Sequence, residues 1–261
     1  SKLEDWLQTE WPNLQVYLTS VTEQFGTISL NGPNARKVMQ KISPSHDFSK
    51  ENFPHMSFQN VNIDNISCRV MRISFTGELC YEINVPSSYC NSAWKKCIEA
   101  GKEFNITPYG TEAMHVLRAE KGFIIVGQET DGSTTPVDLD MNWIVSKKKN
   151  DFIGKRSLYR SDTIKKDRKQ LVGLLTENPN EILEEGAQLV ERETELPMTM
   201  VGHVTSSYYS PNLGRSFALA LVKGGVSKKG LKLFAPQLNK TIKVQITNPV
   251  FIDPKNERLN V

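Results

Sequence analysis

Apolar and polar residues alternate over Val16–Thr22 and again over Phe25–Leu30, the two-residue period of half-buried strands. The turn formers Asn31-Gly-Pro-Asn34 follow. From Pro33 to Ile42 the period lengthens to a helical one, with Ala35, Val38, Met39 and Ile42 on a single face. Phe53–Phe58 reads as a loop or edge strand. Ser67–Phe75 alternates again and predicts a strand with Arg69 and Arg72 turned outward. Tyr81–Val85 predicts a further strand and Ser87–Phe104 a helix. Strand, strand, helix, strand, strand, helix, helix is the order of an α+β layer structure.

Thr107–Glu129 carries a Pro/Gly entry turn, a short helix and a glycine stop. Pro108 favours a helix start, and Gly122 can supply the left-handed residue that ends one. Ala113, Met114 and Leu117 share a face, while Glu112, Arg118 and Glu120 point elsewhere. Arg118 and Glu120, two residues apart, do not face each other on a helix, so each needs its own partner. Structural ion pairing is the simplest use of both.

After Phe152-Ile-Gly-Lys155 the pattern changes. Arg160–Lys169 is densely charged and reads as a solvated helix or linker. Then come Gln170–Leu175, Gln188–Val190, Met200–Ser206, Phe217–Val222, Lys232–Ala235 and Thr241–Ile246, all strand-like and separated by Pro and Gly. Closely spaced short strands predict a small β-barrel or sandwich. The expected boundary lies near residue 165, dividing the chain into 1–165 and 166–261.

Composition narrows the function. A net charge of +3 over 261 residues gives no bulk case for nucleic acid, and Lys147–Lys149 is a short run expected in a solvated loop. No apolar run reaches the ~18 residues of a membrane span. Cys68, Cys80, Cys90 and Cys97 are scattered, as are His46, His55, His115 and His203, so no metal site is expected. Reduced thiols point to a cytoplasmic protein. The chain opens on Ser-Lys-Leu-Glu without signal-peptide architecture and without Met, which implies a processed, tagged or excised chain.

Local motifs leave several readings open. Thr76-Gly-Glu-Leu-Cys-Tyr-Glu82 joins two strands, and Glu78 and Glu82 share parity if the segment is extended. A carboxylate on a sheet face suits a ligand with adjacent N–H donors, such as a pterin or guanine edge. Solvated glutamates, or glutamates bridging Arg69 or Arg72, are the commoner use. Thr134-Thr-Pro136 with Asp138 is a turn signal. Ser206, Ser207 and Ser210 near His203 lack a nucleophile elbow, and no dinucleotide or triphosphate loop is present.

Several pieces, in order along nearly the whole chain, resemble the aminomethyltransferase (glycine-cleavage T-protein) family. They are Leu30-Asn-Gly-Pro-Asn-Ala-Arg36, Arg72–Glu82, Pro108–Gln128, Thr134-Thr-Pro136, Phe152-Ile-Gly-Lys155, Gly202–Ser207 and Ser210-Pro-Asn-Leu-Gly214. The wording of Pro108–Gly122 and of Thr9-Glu-Trp-Pro12 is most similar to the sarcosine oxidase alpha-subunit branch, in its C-terminal portion. The resemblance implies folate-binding α/β layers followed by a small C-terminal β-barrel, and a tetrahydrofolate ligand. It places Glu82, the last Glu of T-G-E-x-x-Y/F-E, on the pterin edge. Phe75 and Phe123 take the places of folate-lining aromatics, and His55 falls where relatives carry a pocket Tyr.

The same resemblance implies capture of a one-carbon unit from sarcosine as 5,10-methylenetetrahydrofolate. FAD, FMN and NAD are then expected only in a parent complex, with flavin-bearing subunits and an upstream part of the alpha subunit as partners. Two departures stand out. Met114 occupies the place of a folate-supporting Arg, and the family's catalytic acid lies in a segment upstream of Ser1. No catalytic residue is therefore assigned, and the isolated chain is expected to be inactive. A scaffold with a vestigial folate pocket and a stand-alone aminomethyltransferase are the alternatives. The folate-binding protein of iron–sulfur assembly carries a Cys after Lys-Gly; here Lys121-Gly122 is followed by Phe123.

Overall fold

The computed structural model describes residues 1–193 and 196–261. Its contacts divide the chain into two compact units. The first comprises Ser1–Ser74, Glu78–Thr107 and Leu259–Val261; the second comprises Phe75–Gly77 and Pro108–Arg258.

The first unit is a four-stranded antiparallel sheet with helices on one face. Strands β1 (Phe25–Asn31), β2 (Ser57–Ile63), β3 (Ile66–Arg72) and β4 (Cys80–Pro86) lie in the order β1-β4-β3-β2. Helix α1 (Lys2–Thr9) precedes the sheet and buries no residue. Helices α2 (Ala35–Ile42) and α3 (Cys90–Gly101) cover the apolar face. The α2 residues expected to face inward, Ala35, Val38, Met39 and Ile42, are all buried. Alternation along β4 sends Tyr81, Ile83 and Val85 into this core and leaves Glu82 and Asn84 on the opposite face. Tyr81 closes the core edge against Phe48 and Phe53, with ring centroids 5.7 Å away in each case.

Two expectations fail here. Val16–Thr22 forms no strand. Residues 11–21 are irregular and exposed, because no described strand pairs with them and alternation alone does not satisfy a backbone. Arg72 does not point outward. Arg69 and Arg72 are three apart on one strand, so they take opposite faces, and Arg72 falls in line with the buried Cys68 and Val70. Its guanidinium is only 1% exposed and donates to the carbonyls of Phe53 (2.5 Å), Leu259 (3.3 Å) and Val261 (2.6 Å). A buried cation is thus satisfied by main-chain oxygens, two of them from the Leu259–Val261 segment of the same unit.

The second unit is built on a closed barrel. Its strands are β5 (Lys169–Thr176), β6 (Gln188–Val190), β7 (Met200–Ser210), β8 (Arg215–Lys223), β9 (Lys232–Gln237) and β10 (Lys240–Thr247). They run β10-β5-β8-β7-β6-β9 with antiparallel pairings throughout. Every expected C-terminal strand is present, and all but Gln188–Val190 run longer than expected. Val172, Leu174, Val204, Ala218, Ala220 and Val244 fill the interior. Leu171, Phe217, Leu219 and Leu221 point out of it and pack against Ala119 of α4 (Thr111–Glu120). One barrel wall is therefore apolar on both faces, which is why β8 reads as a continuous hydrophobic run.

Of the two expectations for the charged stretch, the linker is the one found: residues 160–168 form bends and turns, and Lys169 opens β5. Arg168 folds back onto Asp138 in a two-point contact, Nε to Oδ1 at 2.8 Å and Nη2 to Oδ2 at 2.7 Å.

Candidate functional site

Glu82 sits on β4 opposite Ser29 of β1 and Met71 of β3, on the sheet face away from the helices. Its carboxylate is half-buried and, among the described residues, has no ion pair. Neither arginine that could have bridged it does so: Arg72 is committed to backbone carbonyls, and Arg69 lies 5.8 Å from the Phe58 ring centroid. Burial holds the Glu82 carboxyl above its ordinary value, with nothing nearby lowering it.

Beside Glu82, Cys80 takes the same side of the strand, its Sγ 3.4 Å from Ser29 Oγ. Burial pushes the thiol up to about 12, helped by the neighbouring Glu82 charge and opposed by the Ser29 hydrogen bond. Cys80 is therefore a neutral thiol at neutral pH and no nucleophile. Thr27 Oγ1 donates to Asn84 Oδ1 at 2.7 Å, fixing the amide beside the same open face.

His55 lies in the turn before β2, where Met56 N donates to Arg72 O at 2.9 Å. Burial, then the Arg72 charge, lower its pKa, against a backbone hydrogen bond that raises it. Its ring is neutral at neutral pH and can act as an apolar wall. Glu82 and His55 thus both flank the end of β3, one opposite Met71 and the other one residue before the Met56 contact.

Phe75 and Phe123 belong to the second unit. Gly77, at φ +84°, is pressed against Lys121, where an added Cβ would meet side-chain carbons at 3.0 Å. This close approach brings the segment carrying Phe75 beside the one carrying Phe123. Both rings are partly exposed. Phe123 is anchored through its backbone: its N donates to Arg118 O at 2.9 Å, and its O accepts from Arg118 Nη1 at 3.0 Å.

The charged residues after Leu117 are braces. Arg118 pairs with Glu129 at 2.9 Å, both side chains fully buried, and donates to Ser206 Oγ at 2.6 Å. Ser206 in turn donates to Glu129. Glu120 accepts from Ser210 and from Asn212 Nδ2 at 3.0 Å. Lys121 binds Asp253 through both its carbonyl and its carboxylate. Arg118 and Glu120 therefore have separate partners, as their spacing requires. Glu129, eleven residues beyond Arg118, and Asp253 escaped the sequence reading because no periodicity links them to their partners.

A four-stranded antiparallel sheet with helices on one face, followed in the same chain by a closed six-stranded barrel, defines the class. Residues 1–149 match the GCVT N-terminal domain, and residues 169–253 match the glycine cleavage T-protein C-terminal barrel domain. The chain belongs to the glycine cleavage T-protein family. It is 52% identical over 260 residues to sarcosine oxidase subunit alpha of Corynebacterium sp. (strain P-1), covering 98% of this chain and 27% of that protein. Aminomethyltransferase of Thermoanaerobacter pseudethanolicus is 29% identical, over 94% of this chain and 64% of the relative. The crystal structure of aminomethyltransferase T from Bartonella henselae superimposes with a TM-score of 0.73 at 23% identity, covering 87% of this chain and 60% of that one. The chain thus spans about a quarter of the length of the sarcosine oxidase relatives it matches. Among the described residues, no helix is long and apolar enough to cross a membrane.

Proposed function

We propose that this chain is the tetrahydrofolate-binding part of a sarcosine oxidase-type enzyme. The observation that supports this best is Glu82: a half-buried, unbridged carboxylate whose pKa is raised by burial alone. Such a group gains from a ligand that offers paired N–H donors, as the pterin edge does. Tetrahydrofolate supplies the two nitrogens that take up a one-carbon unit, giving 5,10-methylenetetrahydrofolate and water from formaldehyde. Glu82 anchors and orients the pterin by charge-assisted hydrogen bonds. Phe75, Phe123 and the neutral His55 are folate-lining candidates, carried by the family motif rather than by a contact. Holding the folate amines where the electrophile arrives raises its effective concentration. Arg118 fixes the Phe123 backbone, Glu120 and Lys121 brace neighbouring segments through Ser210, Asn212 and Asp253, and none of the three takes part in carbon chemistry.

On this reading sarcosine is oxidised elsewhere, by flavin-bearing partners that hold FAD, FMN and NAD, and the working division of the chain is 1–165 and 166–261. The start of β5 at Lys169 supports that boundary. The competing reading, a non-catalytic assembly module with a vestigial folate pocket, rests on Met114. It is partly buried in α4, where an aminomethyltransferase carries an Arg.

Calorimetric titration with tetrahydrofolate separates the two. Glu82→Ala is expected to weaken binding by roughly 2–4 kcal/mol, the range for losing a charged hydrogen-bond partner. Undetectable binding to the unaltered protein favours the assembly module. Binding that Glu82→Ala leaves untouched removes the pterin role from Glu82.

A further inference from the structure

The outer wall of the barrel carries a concavity of about 230 Å³ where the end of β5 meets the start of β8 and the facing strands β9 and β10. Arg215, Lys232 and Lys243 line it, with Glu177 as the single carboxylate and Leu175 and Gln245 among the remaining walls. Three cations against one anion leave the lining with a net charge of +2.

Strand pairing explains how the charges gather. Glu177 N donates to Lys243 O at 2.9 Å, and Lys232 lies opposite Gln245. The alternation along β10 turns Lys243 and Gln245 out of the barrel while Ile242, Val244 and Ile246 fill it. Lys232 takes the one carboxylate among the described lining residues, at 3.3 Å. Lys243 has no ion pair among the described residues.

Arg215 is the most constrained member. Its Nη2 donates to Thr176 O at 2.5 Å, which fixes the plane of the guanidinium. Its Nε is buried and has no hydrogen-bond partner. The donor left for an incoming oxyanion is Nη1, which has no hydrogen-bond partner among the described residues and, unlike Nε, is not buried. Arginine presents its N–H groups as a rigid fork matched to phosphate and carboxylate oxygens.

We propose that this concavity binds a phosphate-type dianion, with Arg215 as the directional donor and Lys243 as the free counter-charge. The net charge of the lining matches a dianion better than a monocarboxylate. The volume accommodates a phosphoryl group with a small organic part attached. Nothing in this site depends on Glu82 or on folate.

The test is calorimetric titration of the full chain at constant ionic strength with inorganic phosphate, a simple alkyl phosphate monoester, acetate and chloride. Saturable phosphate binding is expected, weakened roughly tenfold by Lys243→Gln, the loss of one charge-assisted contact. Arg215→Gln should abolish it. Lys243 lies on an exposed strand position, so its variant keeps the fold even if Arg215→Gln does not. Stronger binding of the monoester than of free phosphate would place the natural ligand among phosphorylated metabolites; the reverse would place it with the free ion. The proposal is overturned if phosphate does not saturate, if acetate binds as well, or if Lys243→Gln binds like the unaltered protein while unfolding at the same temperature.

Discussion

Arg118 and Glu129 form an ion pair of 2.9 Å in which neither side chain retains solvent exposure. The pair is not isolated. Ile125 N donates to Glu129 Oε2 at 2.7 Å, Ser206 bridges the two residues, and Gln128 Nε2 reaches Ser206 Oγ at 3.0 Å. Helix α4, the loop after it and strand β7 are thereby tied together at a single polar node.

Breaking that node from one side leaves an unpaired buried charge. Glu129→Met is expected to destabilise the protein by about 3–5 kcal/mol. Replacing both partners at once, Arg118→Met with Glu129→Met, should cost less than the sum of the two single changes, because no charge is stranded. Urea midpoints of the four proteins decide it. Additive losses would mean that the two side chains stabilise the fold independently.

Gly122 ends α4 at φ +73°, and an added Cβ would fall 2.7 Å from Pro249 O. The backbone there cannot yield easily, since Phe251 N and Ile252 N both donate to Glu120 O, at 2.9 and 3.0 Å. Gly122→Ala should therefore cost more than the ~1–2 kcal/mol of a left-handed alanine alone. Gly127, at φ +95° with open space around it, is the control. Gly127→Ala should show only the conformational term. Equal losses in thermal unfolding would refute the close approach to Pro249.

How much of this was legible in the sequence depends on the range of the interaction. Strand and helix periods are local, so α2 and every barrel strand could be read from spacing. Val16–Thr22 has the same alternation as β1 but, among the described residues, no strand beside it, and alternation cannot report a missing partner. Arg72 was misread because its polar type outweighed its parity; counting from Cys68 and Val70 places it inside. Glu82 was legible as a motif, and its parity on β4 follows from Tyr81 and Ile83 being core. That its carboxylate is unbridged was not legible, because it turns on where the Arg69 and Arg72 side chains go. The Glu129 and Asp253 partners were invisible for the same reason: they are fixed by tertiary geometry.

Asp138 and Arg168 give the fold an acid-sensitive clasp. Burial pushes the Asp138 carboxyl up, but the Arg168 hydrogen bonds, with those from Thr135 N and Oγ1, outweigh it and hold the pKa below the ordinary value. A carboxyl depressed in the folded state stabilises at pH above its unfolded value, near ~4, and loses that contribution as pH falls through the folded value. Asp138→Asn should be clearly less stable than the unaltered protein at pH 7, and the gap should shrink in acid. A stability difference constant from neutral pH to below ~4 would rule out the ionised clasp.

Glu82 should make folate affinity pH-dependent in the direction its burial dictates. In the free protein its carboxyl is raised above the ordinary value by desolvation. A pterin edge offering N–H donors favours the ionised form, so binding lowers the pKa and releases a proton wherever Glu82 is protonated beforehand. Affinity is then full above the free-protein value and declines as pH falls below it, by up to tenfold per pH unit until the bound-state value is reached. Glu82→Gln keeps the shape but cannot ionise, so its weaker binding should be flat over the same window. Calorimetry in two buffers of different ionisation enthalpy reads the proton release directly. An unaltered protein whose affinity and proton release match those of Glu82→Gln from pH 4 to pH 7 would show that the carboxylate does not meet the ligand.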